Sequence, residues 1–189
     1  MRSKLFLILS LLVLLILLMA IVFSPYKYSE YVKKDVIVSS VLIDVSTNDL
    51  FEYLGNSENA QHWSSYVSQI ETLNEDMISD GKKGSIRRCF GKEKGVIWDE
   101  LILAVEQNKS RVLQIFNTTG FLVMVNNLVT EQNYEPINSK QTKLSFLLYI
   151  EGSSLSILDW VKVKIGAYKV SSIFDRNLLN IKRINEKSS

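Results

Sequence analysis

The residues best suited to chemistry lie in one short stretch, "NSENAQHWSSYV" (56–67), where His62, the single histidine of the chain, stands beside Trp63, Ser64 and Ser65. A serine nucleophile needs a histidine within hydrogen-bonding distance and a third group that orients the imidazole. Consecutive residues at a helix end point their side chains apart, and the chain contains no G-x-S-x-G motif. We therefore expect no catalytic residue here, with Trp63 as a structural anchor and His62 as a dispensable, exposed neighbour.

The composition gives little support to other common kinds of site. One histidine and one cysteine, Cys89, are too few for the usual zinc site and exclude an internal disulfide. The chain has 22 Lys and Arg against 20 Asp and Glu, and two of the cations, Arg2 and Lys4, precede a long apolar run. The rest of the chain is therefore electrically balanced and lacks the basic bias that nucleic-acid binding requires. We expect no metal, no cofactor and no nucleic-acid partner.

The apolar run, "LFLILSLLVLLILLMAIVF", extends from Leu5 to Phe23, and Ser10 is its one polar residue. At about 1.5 Å per residue it spans the roughly 30 Å hydrocarbon core of a bilayer. A cleaved signal peptide is the alternative, because two basic residues precede the run. However, signal peptides usually have shorter apolar cores, and no A-x-A cleavage pattern follows. We predict a transmembrane anchor at residues 1–23.

The orientation of this anchor depends on the basic residues on its two sides. Two precede it, and Lys27, Lys33 and Lys34 follow it, so the positive-inside bias is nearly balanced. We give more weight to the very short basic amino terminus, which favours a cytoplasmic start. The prediction is a single-pass membrane protein with its C-terminal domain outside the cytoplasm, attached by a polar stalk at residues 24–34.

Residues 35–189 alternate between patterns typical of strands and of helices. A β-branched run predicts a first strand at 35–44, and Ser46 followed by Asp49 predicts the start of a helix that Gly55 ends. A second short helix is predicted at 57–63. Later strands are predicted at 66–74, 85–90, 95–107, 110–118, 121–134 and 142–152. The short connections between the later strands indicate an antiparallel meander, since β-α-β units need helical crossovers.

The C-terminal segment, residues 156–187, is predicted to be one long helix in which Gly166 is a tolerated defect or slight kink. Its apolar residues fall near one stripe, which comprises Ile157, Val161, Ile165, Tyr168, Phe174, Leu178 and Ile181. We expect this stripe to pack on the concave face of a curved antiparallel sheet of about seven strands. The predicted fold class is α+β.

This order of elements resembles the helix-grip fold of the START-like (SRPBCC) superfamily, whose bacterial members are often called polyketide cyclase/dehydrase proteins. Four segments carry the resemblance: "VLIDVSTNDLFEYLGNSENAQHWSSYV", in which Trp63 closes the second helix, "GKKGSIRRCF", "QTKLSFLLYIEG" and "DRNLLNIKRINE". The chain departs from the pattern at Val45-Ser46, where Ala-Pro is common, and it lacks the Pro after the Trp and the Gly pair before the last strand. None of these motifs is catalytic. The resemblance therefore implies a helix-grip domain at 35–189 without specifying an activity.

Candidate cavity-lining residues follow from the alternation of side chains along strands. In "SIRRCF", Arg88 shares a face with Phe90, and if that face lines the cavity, Arg88 is a buried cation that needs a carboxylate or the polar head of a ligand. If the register is reversed, Cys89 points inward and Arg88 reaches water. On the next strand we expect the more apolar face, with Asp99, to point inward. The candidate ligand-binding residues are Trp63, Arg88, Phe90, Leu101, Leu103, Phe116, Met124, Phe146 and Tyr168.

The sequence thus predicts a membrane-anchored protein that binds an apolar or amphipathic small molecule, such as a lipid, a quinone or a polyketide-like compound, without transforming it. Two alternatives stay open. One is an enzyme of the cyclase or dehydratase type, in which the cavity shape and one acid, such as Asp99, promote an intramolecular condensation. The other is an interaction domain without a cavity that displays a surface beside the bilayer.

Overall fold

The computed structural model describes residues 2–30, 32–123, 125–152 and 155–187, with side chains from residue 4 onward. Eight strands form one antiparallel sheet in the order β1-β2-β8-β7-β6-β5-β4-β3. They are β1 (Lys27–Ser29), β2 (Lys34–Ile43), β3 (Val67–Thr72), β4 (Ile86–Gly91), β5 (Ile97–Glu106), β6 (Ser110–Thr119), β7 (Leu128–Asn138) and β8 (Gln141–Ile150). The helices are α1 (Arg2–Val22), α2 (Thr47–Gly55), α3 (Ala60–Trp63), which follows a 3-10 turn at Ser57–Asn59, and α4 (Ile157–Lys187).

The predicted α+β helix-grip architecture is confirmed. Helix α4 packs against the sheet, and its residues Val163, Ala167 and Val170 are at most 3% exposed. Near the C-terminal end of α4, Leu178 and Ile181 join one apolar cluster with α2. The short helices therefore complete the core where the far end of α4 meets the sheet.

Helices α2 and α4 begin with the same kind of cap. The Ser46 hydroxyl accepts a hydrogen bond from the Asp49 amide at 3.2 Å and donates one to the Asp49 carboxylate at 2.7 Å. Ser156 and Asp159 repeat both bonds, at 3.1 and 2.8 Å, at the start of α4. A serine followed three residues later by an acid thus marks both helix starts, because the hydroxyl satisfies an amide that has no partner within the helix.

The sheet begins earlier than the sequence pattern suggested. Residues 27–29, within the segment that we expected to be a stalk, form β1 and pair with β2. Tyr26 is 4% exposed and belongs to the core. The sheet therefore has eight strands, and the part of the chain that packs on it starts before residue 35.

The strand that we predicted at 121–134 forms only from Leu128 onward. Gly120 and Asn127 both have left-handed backbone conformations, with φ of +61° and +58°, which interrupt the extended chain on either side of residues 121–126. Part of this segment packs beneath α4 instead of pairing in the sheet. The predicted stretch is therefore divided into a segment that packs beneath α4 and strand β7.

The predicted apolar stripe of α4 is confirmed in its second half, at Leu178 and Ile181, and wrong in its first half. Ile157, Ile165 and Tyr168 are 82, 44 and 42% exposed, and they face away from the sheet. The inward face is instead formed by the smaller residues Val163, Ala167 and Val170. The first half of α4 therefore has two apolar faces, and the sheet accepts the one with the smaller side chains.

Gly166 has a packing role that we did not predict. A Cβ atom at this position would lie 2.9 Å from Cγ2 of Val123 and 3.3 Å from the carbonyl oxygen of Leu122. Glycine thus lets α4 come close to the 121–123 segment, and the propensity cost of glycine in a helix is offset by that contact.

Candidate functional site

A cavity of about 110 Å³ lies between the middle of α4, at Val170 to Asn177, and the sheet. Its lining is mostly apolar and aromatic, and includes Trp63, Tyr66, Trp98, Phe121, Phe146 and Phe174. Neighbouring rings contact one another: Tyr66 stacks on Trp98 at 5.4 Å between centroids, and Phe121 approaches Trp98 at 5.1 Å. Such walls favour an apolar or aromatic occupant.

Strand alternation determines which residues reach this cavity. On β4 the inward residues are Arg87 and Cys89, and on β5 they are Trp98, Glu100 and Ile102. Arg87 stands directly opposite Glu100 in the β4–β5 register. Because directly opposed residues on one face have adjacent Cβ atoms, the two charged side chains meet at the cavity wall.

Arg87 and Glu100 form a buried ion pair, with side chains 11 and 12% exposed. Nη2 of Arg87 lies 2.6 Å from Oε2 of Glu100, and Nε donates to the same oxygen at 2.7 Å. Nη1 donates to the Ser57 hydroxyl at 2.8 Å, and that hydroxyl donates to Asp80 at 2.6 Å. Oε1 of Glu100 accepts a hydrogen bond from the Trp98 indole at 2.9 Å. Arg87, Trp98 and Glu100 line the cavity, and we call these three side chains its polar wall; Ser57 and Asp80 line the separate groove described below.

Burial by itself lowers the pKa of the Arg87 guanidinium, but the adjacent Glu100 carboxylate outweighs that effect and raises the pKa above its ordinary value. Arg87 is therefore a permanent cation. A guanidinium has five N–H donors, and Glu100 and Ser57 engage three of them. Two N–H groups of Arg87 are therefore not engaged by these two residues.

Tyr66 lines the cavity and carries a further buried polar group. Its ring is 8% exposed, and its hydroxyl is buried without a hydrogen-bond partner among the residues that the structure describes. Burial, together with the nearby Glu93, raises the pKa of Tyr66 to about 12. A protonated phenol without a partner is a donor that a ligand oxygen would satisfy.

A second buried arginine, Arg111, lies at the floor of a separate open groove of about 500 Å³. It is 3% exposed and has no ion-pair partner within the described part of the chain. Nη1 donates to Gln132 and to Tyr134, both at 3.3 Å, and the guanidinium lies 4.4 Å from the ring centroid of Phe51. Burial lowers the pKa of Arg111.

Gly55 borders this guanidinium, since a Cβ atom at residue 55 would lie 2.9 Å from Nη2 of Arg111. The groove also contains carboxylates, including Glu52, Glu58 and Asp80. The lining of the groove is therefore mostly polar, whereas that of the cavity is mostly apolar.

Two of the predicted ligand-binding residues line the cavity. Trp63 is 9% exposed and Phe146 is 5% exposed, and their ring centroids lie 5.9 Å apart. Met124 lies outside the described residues. Tyr168 faces away from the cavity, and its hydroxyl donates to the carbonyl of Ala20 in α1 at 2.9 Å.

The remaining candidates lie on the opposite face of the sheet, so the predicted orientation of β4 and β5 is wrong. These residues are Arg88, Phe90, Leu101, Leu103 and Phe116. Arg88 donates to both carboxylate oxygens of Asp99, at 2.8 and 3.1 Å, and Asn117 donates to Asp99 at 2.9 Å. The hydrogen bond from Arg88 lowers the pKa of Asp99. Asp99 is therefore a paired carboxylate on the outer face and not an acid of the cavity.

A β-bulge explains why one alternation could not describe the whole of β5. Ile102 pairs with Leu113, whereas Ala104 pairs with Val112, so Leu103 is an extra residue between them. Even-numbered residues point inward before the bulge, and Val105 points inward after it. The sequence contained no signal that decided the register, because Arg87 and Arg88 are adjacent and the next strand offers each of them a carboxylate, Glu100 or Asp99.

The histidine stretch has structural contacts. His62 is exposed, and the buried Ser64 hydroxyl accepts hydrogen bonds from the amides of Tyr66 and Val67 at 3.1 and 3.0 Å. The amide of Ser65 donates to Asn177 of α4 at 2.6 Å. Among the described residues, no group of three or more His, Cys, Asp or Glu side chains is arranged to hold a metal ion.

The fold and cavity together define a class of protein, the helix-grip proteins. Similar solved structures include the Zhui aromatase/cyclase from Streptomyces sp. R1128, with a TM-score of 0.58, 12% identity and coverage of 80% of this chain and 93% of that one. Norcoclaurine synthase from Thalictrum flavum, in complex with dopamine and hydroxybenzaldehyde, has a TM-score of 0.57, 13% identity and coverage of 82% and 88%. The Aha1 dimer from Colwellia psychrerythraea has a TM-score of 0.55, 15% identity and coverage of 80% and 96%.

No family model and no curated protein matches the sequence. At such low identities, the three likenesses establish the START-like helix-grip fold, and the chemistry of this chain has to be argued from its own cavity.

Proposed function

We propose that this protein is a membrane-anchored member of the START-like superfamily that binds a small amphipathic molecule in the cavity beneath α4. The observation that carries the proposal is the combination of an aromatic cavity with a polar wall at Arg87 and Glu100. The apolar part of a ligand would replace water against the rings, and a ligand oxygen would accept a hydrogen bond from Arg87 or Tyr66.

The size of the cavity narrows the class of ligand. Apolar cavities of about 150 Å³ hold a benzene molecule, and drug-sized ligands usually occupy about 300–1,000 Å³. A cavity of about 110 Å³ therefore has room for at most one small ring or a short chain. We propose a ring-bearing amphiphile, such as a quinone or a polyketide-like aromatic, whose ring enters the cavity while any longer chain extends outside it.

The test uses the full-length chain, purified in detergent, stripped of lipid, incubated with a membrane extract and examined by native mass spectrometry. Two variants with the same substitution form a matched pair: Leu113→Phe fills the cavity wall, whereas Leu101→Phe changes the outer face. We expect a bound species with the native chain and with Leu101→Phe, and its loss with Leu113→Phe. Thermal unfolding of both variants shows that each is folded. Absence of any bound species, or equal retention by both variants, would contradict the proposal.

The anchoring part of the proposal rests on α1. Residues Lys4–Val22 have a mean hydropathy of 3.4, which is sufficient in length and composition for a membrane span, and the rest of the structure leaves them unburied. We propose that they form an uncleaved single-pass anchor with the C-terminal domain outside the cytoplasm. Alkaline phosphatase fused after residue 189 should then be active, and mass spectrometry of the membrane fraction should recover the intact amino terminus. A shortened mature chain would instead identify a signal sequence.

An enzyme of the cyclase or dehydratase type is the second candidate, and the observation that favours it is the unpartnered hydroxyl of Tyr66, a residue that lines the cavity. In such an enzyme Tyr66 would donate a proton to a carbonyl oxygen that Arg87 holds in place. Tyr66→Phe should then abolish conversion of the bound molecule and leave binding intact. If the ligand recovered from the native chain has the same mass and chromatographic retention as the ligand supplied, binding without conversion is supported.

A further inference from the structure

The first half of α4 has an outer apolar face that the described chain leaves largely exposed. Ile157 and Leu158 are 82 and 74% exposed, and Ile165 and Tyr168 are 44 and 42% exposed. At about 100° per residue these side chains project from one side of the helix, opposite the inward residues Val163 and Val170. We call these four residues, Ile157, Leu158, Ile165 and Tyr168, the outer face of α4.

Lysines flank the outer face. Lys162, Lys164 and Lys169 lie at its edges. Lys162 pairs with Asp159 at 2.9 Å and Lys169 with Glu93 at 3.0 Å, and both are exposed ion pairs. Lysine side chains can lay their methylene groups on apolar surface while the ammonium reaches water or phosphate. An apolar stripe bordered by lysines is the pattern of helices that lie in the headgroup region of a bilayer.

The outer face also adjoins the end of the proposed anchor. The Tyr168 hydroxyl donates to the Ala20 carbonyl at 2.9 Å, and the Ser24 hydroxyl donates to the Lys164 carbonyl at 2.6 Å. Lys164 further donates to the carbonyl of Tyr26. The last turn of α1 is therefore fixed to the middle of the outer face, at the point where the chain leaves the apolar run.

We propose that the outer face of α4 lies in the headgroup region of the bilayer that α1 crosses, where the exposed Lys162 and Lys169 exchange their carboxylate partners for anionic lipid headgroups. This inference rests on the proposed anchoring of α1. Val170 and Phe174 of the same helix line the cavity, and a helix is about 10 Å across. The cavity would then lie one helix diameter from the lipid, so that the bilayer supplies the amphipathic ligand.

The test places a polarity-sensitive nitrobenzoxadiazole label on an introduced cysteine in the full-length chain, in vesicles of phosphatidylcholine and phosphatidylglycerol. Cys89 is 1% exposed, so labelling of the folded chain is confined to the introduced cysteine, and the native chain is the labelling control. Ile165→Cys reports on the outer face, and Leu158→Cys is a second site on it. Leu179→Cys is the matched control. Leu179 is 55% exposed on the same side of the same helix and lies about 21 Å beyond Ile165.

For Ile165→Cys and Leu158→Cys we expect blue-shifted emission and strong quenching by a lipid that carries a nitroxide in its headgroup. For Leu179→Cys we expect neither. Co-flotation of each chain with the vesicles measures the anchoring separately. A chain that does not float would overturn both the anchoring and this inference.

A chain that floats while the labels at 158 and 165 stay in water would overturn this inference alone. A blue shift without quenching by the nitroxide lipid would mean that protein covers the face instead of lipid. If dilution with unlabelled chain then relieves self-quenching of the label, the occupant is a second copy of this chain. Either of these results would also overturn the inference.

Discussion

Replacement of Trp63 by alanine tests whether the histidine stretch is structural. Trp63 is 9% exposed, belongs to the apolar cluster of α2 and α4, and borders the existing cavity of about 110 Å³. Truncation removes the ring contact with Phe146 and enlarges the cavity, which typically costs about 3–5 kcal/mol. A domain of this size is usually stable by about 5–15 kcal/mol, so the change removes a large share of the total.

Two further variants serve as controls for Trp63→Ala. His62→Ala changes an exposed neighbour and should alter the free energy of unfolding by less than about 0.5 kcal/mol. Trp63→Phe keeps an aromatic ring and removes an indole N–H that has no hydrogen-bond partner among the described residues. We therefore expect it to cost clearly less than Trp63→Ala, because no satisfied hydrogen bond is lost.

Urea unfolding of the full-length chain in detergent micelles, followed by circular dichroism, measures all three variants. The reasoning is refuted if Trp63→Ala unfolds at the same urea concentration as the native chain. It is also refuted if His62→Ala abolishes conversion of a ligand while leaving stability unchanged, since the histidine would then act in catalysis.

Three other predictions concern packing and charge. Gly166→Ala should destabilise the protein and weaken ligand binding, because the new Cβ would lie 2.9 Å from a Val123 methyl group; unfolding and native mass spectrometry measure the two effects. Arg87→Met leaves Glu100 buried without its cation and should cost about 3–5 kcal/mol in urea unfolding, whereas Lys143→Met breaks an exposed pair and should cost about 0–1 kcal/mol. The pKa of Asp99 is lowered in the folded protein. Its ion pair therefore stabilises the folded state fully above the unfolded pKa of about 3.9, and this stabilisation is lost as the pH falls through the lower folded pKa. Asp99→Asn should therefore lose less stability than the native chain between pH 5 and pH 2, and equal losses would contradict the assigned pair.

The boundaries of most elements follow from local chemistry in the sequence. Ser46 and Asp49 predict the start of α2 because the serine hydroxyl satisfies an amide within its own turn. The β-branched run at 35–44 and the short later connections predict the antiparallel strands for a similarly local reason. Trp63 was assigned to the core correctly, since a large apolar side chain at the end of a helix has few other places to go.

The composition of the cavity depended on two properties that are set by tertiary structure. The first is which face of β4 and β5 points inward. Either face of "IRRCF" presents one arginine, and the inward position of Arg87 depends on its partners Glu100 and Ser57, which come from other elements. The bulge at Leu103 then reverses the alternation within β5, which a strict period of two cannot anticipate.

The second property is which side of α4 the sheet accepts. The sequence places apolar residues on both sides of the first half of this helix. The larger ones, Ile157 and Ile165, made the outer side appear to be the core face. The sheet and the 121–123 segment instead select the side with Gly166 and Ala167, because only small side chains permit so close an approach. Residue types thus determined that the first half of α4 has two apolar faces. The space available beneath the helix decided which face is buried and which remains exposed beside the end of α1.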